Sequence, residues 1–102
     1  MAFDQIEMPE DLRSCYLKRR SKDLRTCRAK ILILDWVYFA RLGHQLKGNA
    51  SSYGYKNLGE IALQIENSAR DKDLTKLKKH VSAFQEWLGE ETENTLWVRS
   101  VF

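Results

Sequence analysis

His44, Lys47 and Gly48 are the residues whose types and spacing point to chemistry. They lie among Trp36, Phe39, Leu42, Leu46, Ala50 and Tyr53, apolar residues that recur every three or four positions and predict a helix. His44 comes two residues before Leu46, which sets it roughly 200° around the helix from that core position. It therefore faces solvent. Its helical neighbours Ala40, Arg41, Lys47, Gly48 and Ser51 are small or basic. A neutral imidazole nitrogen is a good nucleophile near neutral pH. A transferring phosphoryl group spreads negative charge over its oxygens, so a lysine one turn away is useful. Gly48, at i+4, removes a side chain that would crowd the ring. Glycine inside a helix costs about 1 kcal/mol relative to alanine, and close approach of another protein is a reason for it. An exposed His with Lys at i+3 is in itself an ordinary helix surface. Gly at i+4 is the less common element.

Four helices are expected to position these residues. The first runs from about 9 to 32. Pro9 and the acids Glu10 and Asp11 suit its first turn, and Leu12, Tyr16, Leu24, Cys27, Ile31 and Leu34 follow a helical period interrupted by Arg20. Asp35 is a credible N-cap for the second, and Gly54 can end it in a left-handed conformation. The third, about 56 to 70, buries Leu58, Ile61, Ala62, Ile65 and Ala69. Asp71 or Asp73 can cap the fourth, about 73 to 89, which carries Leu74, Leu77, Val81, Phe84 and Leu88, with Gly89 as its stop. Short connections between amphipathic helices favour an all-α, antiparallel, up-down-up-down four-helix bundle. Residues 1–8 form an N-terminal segment. Residues 90–102 form a tail, acidic and then apolar, expected to pack on the bundle or on a partner.

A chain of 102 residues is one small domain, too short for a two-lobed enzyme with ATP in its cleft. No apolar run approaches a membrane span, and no signal peptide is visible, so a cytoplasmic location is expected. Cys15 and Cys27 on one helix would stand about 18 Å apart, beyond disulfide reach. They are expected to be reduced thiols, and no Cys or His spacing suggests a metal site. Charge is uneven. Residues 11–56 hold eleven Lys and Arg against three acids, while 57–102 hold six against eight. A basic half suits nucleic acid or a protein with an acidic pocket. Lys18, Arg19, Arg20 and Lys22 would point in several directions from a helix, as a solvated face does.

The run Leu42-Gly43-His44-Gln45-Leu46-Lys47-Gly48 through Tyr53-Gly54-Tyr55 resembles the signature of histidine-containing phosphotransfer (HPt) domains. That pattern is His-x-x-Lys-Gly with a further Gly six residues on, met here by His44, Lys47, Gly48 and Gly54. The resemblance covers residues 9–89. It implies a stand-alone phosphorelay intermediate rather than a kinase. His44 would accept a phosphoryl group from an aspartyl phosphate on a response-regulator receiver domain and pass it to another, with a hybrid sensor histidine kinase upstream. Lys47 would stabilise the phosphoryl oxygens. Gly48, with Arg41, Gln45 and Ser51, would form the docking face, and Gly54 would be structural. The resemblance implies no cofactor of the chain's own, since Mg²⁺ would come with the receiver, and neither nucleic acid nor membrane as partner.

Three other readings remain open. A histidine-kinase dimerisation helix would have an acid where Gln45 stands and a proline after it. A nucleic-acid-binding module would use the basic half with Tyr16 or Tyr53. A degenerate HPt-like scaffold or dimer module would keep the fold without transfer. His80 reads as a surface residue, and Trp36 and Trp87 as packing residues. Glu60, Glu66 and Glu86 fall on polar faces, with nothing to pair them for acid–base work.

Overall fold

The computed structural model describes the backbone of residues 10–101 and the side-chain environments of residues 11–93. Four helices follow in order: α1 Glu10–Leu32, α2 Trp36–Ser52, α3 Lys56–Arg70 and α4 Leu74–Val101. This is the expected all-α four-helix bundle. The expected start at Pro9 lies outside the described residues.

All three connections are built alike. Each helix closes with a backbone bond from the residue two beyond its cap to a carbonyl five residues back: Asp35 to Lys30, Tyr55 to Ala50 and Asp73 to Ser68, at 3.1, 2.8 and 3.0 Å. The residue between has positive φ, at Leu34 (51°), Gly54 (79°) and Lys72 (53°). This is the Schellman arrangement, in which left-handed C′ turns the chain and satisfies orphan carbonyls. Gly54 therefore ends α2 as expected. The last residue of each closure is also the cap of the next helix. Asp35 Oδ1 accepts from the Tyr38 amide and Asp73 Oδ1 from the Lys76 amide, both at 3.0 Å. Tyr55 caps α3 without a side-chain bond.

The core is one cluster drawn from every helix. Phe39, Leu46, Leu58, Ile65, Leu77, Phe84 and Cys27 are its fully enclosed side chains. The stripes on α2, α3 and α4 are buried much as periodicity predicts, with Trp36, Tyr53 and Ile61 half-buried and packed against the cluster. Two expectations for α1 fail. Leu12 is 52% exposed, and Leu34 lies past the helix in the turn. The interruption at Arg20 is filled by other chemistry. Its guanidinium stacks 4.6 Å over the Tyr16 ring, meets Asp23 at 2.8 Å and donates to Asn49 Oδ1 at 3.1 Å. Tyr16 donates to the same oxygen at 2.7 Å, so Asn49 ties α2 to α1.

Gly89 does not stop α4, which continues to Val101. Glycine weakens a helix without breaking it, and no left-handed turn forms there. What the side chains of 94–102 pack on lies outside the described residues. Cys15 and Cys27 are both free thiols.

Two outcomes follow. Lys72→Gly removes left-handed strain from an exposed C′ position and should stabilise the fold by about 0.5–1 kcal/mol, read as a higher urea midpoint. Burial pushes the Cys27 thiol up from 9.0 to about 12. Its protonated form therefore adds stability that is whole below pH 9 and is lost as pH rises toward 12. Tyr16, Tyr38 and Tyr55, raised by burial as well, act in the same direction. Urea midpoints should fall above about pH 9, less steeply in Cys27→Ala.

Candidate functional site

α2 carries the residues singled out by type and spacing, and it presents them outward. The His44 side chain is 70% exposed at the middle of the helix. Arg41, Gln45, Gly48 and Ser51 are exposed on the same outer half of α2, while Lys47 is half-buried at its α3 edge. Gly54 stands apart, in the turn below.

Two glycines of α2 do opposite things. A Cβ on Gly43 would lie 2.7 Å from the Ala62 carbonyl oxygen and 2.7 Å from the Glu66 amide nitrogen. Gly43 thus lets α3 approach the backbone of α2 directly beside His44. Among the described residues, a Cβ on Gly48 would meet nothing within 4 Å. Packing among them gives no reason for that glycine.

The close approach brings in a residue that the pattern of polar faces misplaces. Glu66 is buried, its side chain 3% exposed. Its Oε2 accepts from Arg70 Nη2 at 2.7 Å and stands 3.4 Å from His44 Nδ1. Its Oε1 accepts from Lys47 Nζ at 3.4 Å. A carboxylate withdrawn from water needs such partners, because an unpaired buried charge is strongly unfavourable. The placement of Glu66 on a polar face is corrected. The signal was in the spacing: Glu66 is four residues after Ala62 and three before Ala69, on the flank of the apolar stripe, with Arg70 four residues on.

This arrangement sets the chemistry of the ring. A carboxylate facing Nδ1 favours the tautomer with the proton on Nδ1. Nε2 is then the nitrogen with a free lone pair. Positive charge developing on the ring would be met by Glu66, and negative charge beyond Nε2 would find Lys47 and Arg70 nearby.

Other candidates separate from this site. His80 is half-buried on α4, its pKa lowered by burial and by Lys79 and Lys76. Trp87 is buried and meets Tyr55 edge-on, with ring centroids 5.1 Å apart. Tyr16, a candidate base-stacking residue, is buried and stacked on Tyr53 at 4.4 Å. Lys18, Arg19 and Lys22 are exposed while Arg20 turns inward, so the basic cluster does diverge. Among the described residues, no cluster of three or more His, Cys, Asp or Glu could hold a metal ion. No helix among them is long and apolar enough to cross a membrane.

A family model described as Hpt domain matches residues 6–92. The chain belongs to that family. Hpt domains are carriers in phosphorelays, working with receiver domains and histidine kinases, and are not kinases themselves. No curated protein and no solved structure matches the chain.

The two glycines of this Hpt domain make opposite predictions for one substitution. Gly48→Ala should be neutral or stabilising by up to about 1 kcal/mol, from helix propensity alone. Gly43→Ala should destabilise by about 1–3 kcal/mol, because two helix backbones must part. Chemical denaturation of both variants beside the wild type checks the contrast.

Proposed function

We propose that this Hpt domain accepts a phosphoryl group on Nε2 of His44 from a receiver-domain aspartyl phosphate and returns it to another receiver. The observation that carries the reading is the exposed His44 ring with its Nδ1 toward the buried Glu66 carboxylate. The Nε2 lone pair attacks phosphorus in line. The N–P bond forms as the bond from phosphorus to the aspartyl oxygen breaks, and the carboxylate leaves with that electron pair. The Nδ1 proton stays, so the phosphorylated ring carries positive charge opposite Glu66. Reversal gives the phosphoryl group to the next aspartate.

Glu66 acts here as a positioning residue, through the ring and through Lys47. Lys47 is 42% exposed and long enough to leave Oε1 for a phosphoryl oxygen, while Arg70 remains on Oε2. The space beside Gly48, open among the described residues, gives a receiver room to bring its phosphorus to about 3–3.5 Å from Nε2. Mg²⁺ belongs to the receiver in this reading, and the process is cytoplasmic.

Labelled ATP with Mg²⁺ should leave the isolated chain unlabelled, and a phosphorylated receiver should label it. His44→Ala should abolish labelling. Lys47→Ala should slow transfer by tens- to hundreds-fold, the usual loss for one charge-stabilising donor, and should also lower stability, because Glu66 Oε1 loses its charged partner. Glu66→Gln keeps the side chain's shape but loses its charge opposite the ring, and should slow transfer by about tenfold, the rate equivalent of about 1.4 kcal/mol. Label gained from ATP alone, or retained in His44→Ala, overturns the reading.

A further inference from the structure

The α1–α2 turn exposes apolar side chains that the core does not use. Leu32, Ile33 and Leu34 are 82%, 68% and 47% exposed, and Val37 in the first turn of α2 is 68% exposed. Leu34 is also held at φ 51°. Glycine would occupy that position without strain, and an exposed leucine there gains little from folding. Val37 precedes His44 by seven residues. Two helical turns separate them, so both project from one side of α2, about 10 Å apart along its axis. Arg41 lies between them, and Lys47 and Arg70 border His44 toward α3.

We infer that Leu32, Ile33, Leu34 and Val37 are the apolar half of the receiver-docking surface, with the basic residues around His44 as its other half. The inference rests on the phosphotransfer reading and adds where the partner binds. A partner that covers His44 and buries a standard 800 Å² or so per side spans a patch roughly 30 Å across, which reaches Val37 and the turn. Apolar contacts would hold the receiver, while the charged half sets its orientation.

Charge selects the occupant. A second copy seated on this patch by two-fold symmetry would bring the basic residues around His44, Arg41, Lys47 and Arg70, against their own copies. A receiver that holds Mg²⁺ with carboxylates presents the opposite sign beside its phosphoryl group.

The double variant Leu34→Gly/Val37→Ser tests this without threatening the fold, because glycine suits the left-handed position and Val37 is exposed. The donor is the phosphorylated receiver domain that labels the wild-type chain fastest among those of its organism. Phosphoramidate, which needs no docking surface, is the second donor. The expected result is a loss of about tenfold or more in kcat/KM from the receiver, mainly through KM, with phosphoramidate labelling of His44 unchanged. Unchanged receiver kcat/KM, with His44 still labelled by both donors, overturns the docking surface and leaves the phosphotransfer reading intact. Equal losses with both donors overturn it too, since the effect would then lie in the ring. So does a wild-type dimer at micromolar concentration that the variant converts to monomer. If neither donor labels wild-type His44, the phosphotransfer reading fails and this inference falls with it.

Discussion

A carboxylate almost closed off from water has to be answered by partners, and in this bundle they come from the candidate site. Glu66 lies on the seam between α2 and α3, and His44, Lys47 and Arg70 converge on its two oxygens. The seam exists because Gly43 has no Cβ to hold the helices apart. Packing and chemistry therefore meet at one point. The same close approach that buries Glu66 aims it at the ring.

The support behind this point is also polar. Asn49 follows Gly48 and receives bonds from Tyr16 and Arg20 of α1. α2 is thus tied on one flank through its amide and on the other through Lys47 and Glu66. Between those ties its outer face carries the exposed Arg41, His44, Gln45, Gly48 and Ser51. Buried polar ties of this kind specify geometry more than they add stability.

Much of this was legible in the sequence, and the parts that were not share a cause. Periodicity placed Phe39, Leu46, Ile65, Leu77 and Phe84 in the core and His44 outside it, because helical angle alone decides both. Asp35 and Gly54 were legible because capping and left-handed turns depend on single residues. Glu66 was not, because residue type argued for solvent while its angle argued for the seam. Gly43 was quoted in the signature and given no role, since its partners Ala62 and Glu66 lie on another helix. The stop at Gly89 failed because glycine marks a helix end only when a left-handed closure follows. Leu12 and Leu34 fit the α1 period, yet one is exposed and the other belongs to the turn.

The three turns have a mechanical meaning. In each, the residue that completes one helix's closure is the cap of the next, so no spare residue remains to act as a hinge. The bundle is built as rods joined by short capped turns. In the phosphotransfer reading, a strain applied at His44 would find no spare turn residue to take it up and would pass into the seam. The direction in which a phosphoryl group travels across such a carrier would then be set by the free energies of the two aspartates it visits.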